Sequence, residues 1–445
     1  MPLQHPSSTT TTYLDQPPSC LQFCPASPNN VVVGTYLLSE TKTIELDGSE
    51  TIQQSKTGSL QLWHLDPETD TLSQISRYSL NAAVFDLHFH PRNPNILAIA
   101  TSTASVSLFA ISDSAENPGF THLWTKSVHE DPSIPALFLA WLPDNWLSGP
   151  SAPEDAFAVT FSDGRVGVFG LGPTALDGGA GGSTNDAEGD EQATELRVFE
   201  AWEPIEIWFV AVASYLGLDG TGEGEAEVVY TPYLFTGNDF GSLHTRRFAD
   251  VQGRARTRAT EGENEGEGED EDENSNVPPL ILNADDKARH HTAGVTAILP
   301  LPIPLSHPLA SGEPLVLTGS YDENLRVYHA TRGGRVLAEA GLGGGVWRLQ
   351  LLETVTAGSP GGGEWSFVVL ASCMHGGTRV VRVTIEGEVE AGIEVLAEFT
   401  EHESMNYASD VWRSEAGDGD GSERELRVVS SSFYDRRVCV WGVEL

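Results

Sequence analysis

The side chains equipped for acid-base or nucleophilic chemistry are thinly spread, with 13 histidines and 4 cysteines in 445 residues. The best placed is His375, in the turn SCMHGG (372–377), where Gly376 and Gly377 free the backbone and expose amide groups. An imidazole there suits a general base. Asp410 or Asp322 could orient it, and Ser404, Cys373 or a water molecule could attack. Each also has a plainer reading: Asp322 and Asp435 as turn aspartates, Cys373 as an inert thiol among apolar neighbours, and His375 as a turn residue bonded within its own blade. His402 is open to either use. No Gly-x-Ser-x-Gly elbow occurs, so an α/β-hydrolase arrangement has no support. His88 and His90 share one side of a strand, and Cys20 lies close to Cys24, but no further Cys or His pair follows at a zinc-site distance. Neither a metal nor a cofactor is expected.

The elements that must position these residues form a repeat. A strand, a polar turn and a second strand ending near an aromatic recur in VVVGTYLL (31–38) with SLQLWHLD (59–66), NILAIATSTASVSLFAI (95–111), DAFAVTFSDGRVGVFGL (155–171), YLFTGNDFGSLHTRRF (233–248), PLVLTGSYDENLRVYHA (314–330), FVVLASCMHGGTRVVRV (367–383) and LRVVSSSFYDRRVCVW (426–441). Their period-2 apolar alternation around Gly, Asp or Asn turns marks β-hairpins. Repetition of one hairpin design predicts an all-β, seven-bladed propeller occupying residues 1–445 as a single domain. Inner strands are expected at 20–25, 84–91, 136–143, 205–212, 294–302, 345–352 and 407–413. The last repeat has no outer strand of its own, and residues 11–16 are expected to supply it and close the ring. The pattern resembles a WD40 propeller, with Trp63, Tyr328 and Trp441 near the usual third-strand Trp and His291 echoing the Gly-His dipeptide, although Trp63 and Trp441 lack the following Asp.

Composition narrows the use of such a ring. The 64 acidic residues against 25 Lys and Arg give a net charge of −39, which argues against a nucleic-acid surface and for long-range attraction of a cationic target. Gly- and acid-rich segments at 171–194, 216–227, 253–277, 357–364 and 414–424 hold much of that charge and read as disordered insertions. The basic run 246–258 reads as neutralised by the acidic segment beside it. The N-terminal 18 residues lack a signal-peptide pattern, no apolar run reaches membrane length, and the cysteines are too few for a disulfide scaffold. A soluble cytoplasmic monomer is expected.

Several segments are more particular than the repeat: LTGSYDENLRVY (317–328), GGVWRLQ (344–350), LASCMHGG (370–377), EHESMNYASDVW (401–412) and SSSFYDRRVCVW (430–441). With CLQFCP, VVVGTYLL, FDLHFHP and LFTGNDFGSLHTRR earlier in the chain, they resemble the diphthine methyl ester hydrolase family, historically called diphthine methyltransferase, the WD40 protein of diphthamide biosynthesis. The resemblance implies hydrolysis of the methyl ester of methylated diphthine on translation elongation factor 2, ahead of amidation. Under that reading His375, Asp410 and Ser404 are the catalytic candidates. The substrate's quaternary ammonium calls for aromatic faces, which Trp347, Tyr407 and Trp412 offer beside Arg348. The competing reading is a non-enzymatic scaffold presenting elongation factor 2 to the amidating enzyme.

Overall fold

The computed structural model describes residues 2–44, 50–112, 118–177, 192–200, 202–217, 228–252, 276–357, 363–387, 390–413 and 425–445. Its strands form seven antiparallel sheets, the blades of a β-propeller. Of the expected insertions, residues 178–191, 218–227, 253–275, 358–362 and 414–424 lie outside the described residues.

Blades stack face to face, so their middle strands are covered on both sides. Ile96–Thr101 of blade two and Leu315–Ser320 of blade five are buried at every position, which is why they read as unbroken apolar or small-residue runs. Outer strands have one wet face, and Thr71–Leu80 alternates accordingly. The inner strands are Pro18–Cys24, Val84–Phe89, Ala136–Trp141, Ile207–Gly217, Val295–Pro300, Arg348–Ala357 and Ala408–Trp412, and each neighbours the next around a central channel.

Ring closure uses the N-terminus. Ser8–Tyr13 pairs antiparallel with Arg437–Glu444, with Thr11 opposite Cys439. The pairing strand lies three residues upstream of the expected 11–16 because the following residues have other duties. Leu14 is buried, Asp15 accepts from Gln61 at 2.9 Å, and Gln16 accepts from the Thr35 and Ser59 hydroxyls at 2.8 Å each, turning the chain into blade one. Upstream, Gln4 exchanges backbone hydrogen bonds with Leu396 and Glu398 of blade six.

Polar clusters fix the blade edges. His291 is buried with Nε2 2.8 Å from the Thr318 hydroxyl and Nδ1 3.3 Å from Asp322. In blade seven, His402 Nε2 lies 2.8 Å from the Ser430 hydroxyl, which also accepts from the Trp441 indole at 3.0 Å. Trp441 is fully buried and stacks on Phe399 at 4.9 Å. All four cysteines are buried, and no disulfide occurs among the described residues. No helix of the described residues is long and apolar enough to cross a membrane.

Candidate active site at the propeller mouth

Side chains at the start of an inner strand, or on the turns beside it, face the mouth of the channel. Trp347 immediately precedes the inner strand of blade six and Tyr407 that of blade seven, and their rings meet at 5.0 Å. Trp208 of blade four and Tyr321 of blade five complete a cluster around Trp347, at 5.6 and 6.0 Å. Phe433 lies 5.4 Å from Tyr407 and 6.1 Å from Tyr36 of blade one. These rings line a cavity of about 570 Å³. The Trp208 indole donates to Asp239 at 2.7 Å, which brings a carboxylate to the aromatic wall. Burial raises the Tyr407 phenol to about 12, and burial with the Asp239 charge raises that of Tyr321, so both rings stay neutral near pH 7.

The approach of Trp347 to the mouth depends on two glycine-rich segments lying against each other. A Cβ on Gly344 would come within 2.5 Å of Gly376 N and one on Gly345 within 2.7 Å of Met374 Sδ. The SCMHGG turn therefore supports GGGVW from behind. Asn406, fully buried, ties the same turn to blade seven: its backbone exchanges hydrogen bonds with Met374, and its side-chain amide donates to Ser431 O at 2.7 Å and Ala408 O at 3.0 Å. Tyr407 is thereby fixed opposite Trp347.

Behind the rings the channel holds a second cavity of about 210 Å³, to which Tyr407 also contributes. Arg348 crosses it, its guanidinium carbon 4.9 Å from the Trp347 ring centre and 4.8 Å from that of Phe138. Nη1 donates to Trp347 O at 2.9 Å and Nη2 lies 3.7 Å from Asp86 Oδ1. Burial lowers the guanidinium's pKa from its usual value, opposed by Asp86. Asp86 and His88 sit two residues apart on the inner strand of blade two, and His88 Nε2 is 2.8 Å from Asp86 Oδ2, although the ring is not aligned for a hydrogen bond. Asp410 is buried and accepts from Phe23 N at 2.7 Å, Gln350 Nε2 at 2.5 Å and Val411 N at 2.7 Å. Burial pushes its carboxyl above the usual range.

The sequence candidates are thus divided. Trp347, Arg348 and Tyr407 come together at the mouth and just behind it. His375, Asp410 and Ser404 share no hydrogen bond. His375 is 55% exposed, with Nε2 3.4 Å from Glu323. Ser404 caps a turn, accepting from Tyr434 N at 2.9 Å and donating to Asp435 at 2.9 Å. Asp322 is held by His291 and Arg326, and these partners keep its carboxyl well below the usual range despite burial. Burial raises the Cys373 thiol to about 12, so it is protonated near pH 7. Trp412 stands at the far end of the inner strand that Tyr407 precedes, its indole donating to Asn29 at 2.8 Å under the Arg427 guanidinium. His90 leaves its expected pairing with His88, being buried against Trp141 and 2.8 Å from Asp155. No group of three or more His, Cys, Asp or Glu suited to a metal ion occurs among the described residues. Asp86, Trp208, Tyr321 and Phe433 escaped the sequence reading; the alternation in VFDLHFHP was the available signal for Asp86, since it puts residues 86 and 88 on one face.

This architecture defines the class: the chain is a WD40-type β-propeller. Sqt1 of Saccharomyces cerevisiae superposes with a TM-score of 0.51 at 10% identity, covering 99% of this chain and 100% of that one. Sqt1 of Chaetomium thermophilum, solved bound to the N-terminus of ribosomal protein L10, gives 0.50 at 14% identity, covering 98% and 99%. No family model matches the chain. Within the class, the chain is similar to proteins named diphthine methyltransferase. The Schizosaccharomyces pombe protein of that name is 24% identical over 434 residues, 97% of this chain and 96% of its own length. The human protein of the same name is 27% identical over 127 residues, 28% of this chain and 23% of its own length.

Proposed function

We propose that this protein acts in diphthamide biosynthesis by hydrolysing the methyl ester of methylated diphthine on translation elongation factor 2. Its homologues' name points to the pathway, and the observation that carries the reaction is the pairing of an aromatic mouth with a polar chamber behind it. A trimethylammonium group has no hydrogen to donate, so recognition falls to π faces and nearby carboxylates. Trp347, Tyr407, Tyr321 and Trp208 supply the faces and Asp239 the charge. The ester is attached to the carbon that bears the ammonium, so seating one group at the rings delivers the other to Arg348 and its neighbours.

A guanidinium facing the ester carbonyl favours hydrolysis, because negative charge develops on that oxygen as the carbonyl is attacked. The freed carboxylate is then ready for amidation by the next enzyme. The protein works as a cytoplasmic monomer, since its own N-terminus closes the ring and its substrate is a translation factor. The test is incubation of the purified protein with methylated-diphthine elongation factor 2, followed by intact mass. Loss of one CH2 unit without added enzymes supports the reading. Stable binding with the mass unchanged would overturn it in favour of a scaffold presenting the factor to the amidating enzyme.

A further inference from the structure

We infer that His88 is the base that activates water in the channel chamber, with Asp86 positioning its ring and Arg348 receiving the carbonyl oxygen of the substrate. The inference rests on the ester-hydrolysis reading above and assigns its residues.

The chamber holds two carboxylates with different duties. Asp410 receives three short hydrogen bonds, two of which join blade seven to blades one and six, and its lone pairs are committed to them. Asp86 receives one long backbone bond, 3.5 Å from Leu139 N, and its oxygens otherwise face His88 and Arg348. A carboxylate beside an imidazole fixes the tautomer by holding the proton on the near nitrogen. Here that nitrogen is Nε2, which leaves the Nδ1 lone pair to take a proton, and Nδ1 has no hydrogen-bond partner among the described residues. The His88 side chain is 34% accessible and its ring stands edge-on to Phe138 at 5.1 Å, so it is held and still reachable from the channel. Misalignment between base and orienting group before substrate binds is common, and such bonds tighten in the complex.

The alternatives to water are occupied or unreactive. Burial and the Asp86 charge raise the Cys20 thiol far above neutrality, which keeps it protonated. Ser372 and Ser409, the serine hydroxyls lining the chamber, are bonded to each other, and Ser409 also to Thr378 and Asn406. None of the three bonds to His88. The step is then direct hydrolysis. Nδ1 takes a proton from water as the oxygen bonds to the ester carbon, and the resulting oxyanion faces Arg348. The carbon–methoxy bond breaks, the imidazolium returns its proton to the leaving methoxide as methanol, and the new acid ionises, releasing one proton to solvent.

The unmodified protein tests the route. With excess methylated-diphthine elongation factor 2, methanol and free carboxylate should appear in step from the first turnover; methanol running ahead of carboxylate, with an acyl adduct on the protein, would overturn direct attack by water. His88→Gln should lower turnover by about 100-fold or more while tetramethylammonium binds the aromatic mouth with unchanged Kd. His88→Gly should regain turnover when imidazole is added, which a packing role would not produce. Asp86→Asn should lower kcat with KM unchanged. A folded His88→Gln protein hydrolysing at the unmodified rate overturns the assignment and leaves the esterase reading standing. Failure of the unmodified protein to hydrolyse the ester removes both.

Discussion

Replacing Trp347 by alanine tests the aromatic mouth most directly. Its ring is the shared member of the cluster, lying 5.0 Å from Tyr407, 5.6 Å from Trp208 and 6.0 Å from Tyr321. One aromatic face against a partly desolvated quaternary ammonium is worth about 1–2 kcal/mol. At about 1.4 kcal/mol per tenfold, the substitution should raise the Kd for tetramethylammonium, and lower kcat/KM for the modified elongation factor, by about 5- to 30-fold. Arg348 keeps Phe138 at 4.8 Å and Phe209 at 5.6 Å after the change, so the chamber behind should survive. The fold should too, because Trp347 is only partly buried, whereas Trp441 is fully enclosed between blades. The assay is calorimetric titration with tetramethylammonium and with its neutral counterpart tert-butanol, alongside turnover and melting temperature. The cation should lose affinity and the neutral probe should barely change. Equal losses for both probes, or a folded variant with unaltered Kd and kcat/KM, would refute recognition through the ring's charge distribution.

Three further outcomes follow from the same geometry. His375→Ala should leave turnover within about twofold, in keeping with surface substitutions, and a large loss of turnover would return His375 to the mechanism. His402 is held by burial at about 4 against an ordinary 6.5, so between those values the unfolded chain binds the proton and the native blade does not. Stability should therefore fall as pH drops from 6.5 towards 4, by up to about 3 kcal/mol, and in urea titrations across that range the His402→Gln protein should have the flatter profile. Deletion of residues 1–13 should bare the edge of Arg437–Glu444 and lower the melting temperature, with self-association visible by light scattering; an unaffected monomer would show the strand to be dispensable.

The fold was largely legible in the sequence because each hairpin carries its own period-2 signal and covered strands such as Leu315–Ser320 are apolar or small throughout. The closing strand was displaced by three residues because nothing in TTYLDQ announces that Asp15 and Gln16 bond to blade one. At the site, Trp347 and Tyr407 could be picked out as residues preceding inner strands. Trp412 could not be separated from Tyr407 by that argument, yet five residues of extended strand carry it about 16 Å away. The trio His375, Asp410 and Ser404 is not hydrogen-bonded together, for a different reason. His375, Ser404 and Asp410 are near one another in sequence, but in a propeller adjacent turns serve adjacent blades, and the channel gathers residues from opposite blades. Asp86 and His88 meet Arg348 across the ring, a neighbourhood that no local pattern encodes.

The join between Ser8–Tyr13 and Arg437–Glu444 also sets a timetable. Ser8–Tyr13 is made before every other described strand and Arg437–Glu444 after them. At 5–20 residues per second, the roughly 430 residues from one strand to the other separate them by roughly 20–90 s on the ribosome. Through that interval the waiting segment is STTTTY, a hydroxyl-rich stretch that is safer in solution than an apolar edge. The mouth itself spans the join, for Tyr36 of blade one meets Phe433 of blade seven at 6.1 Å, and Phe23 N reaches Asp410 across the same boundary. A chain cut short before its final blade would lack half of each pair, and with it one wall of the mouth.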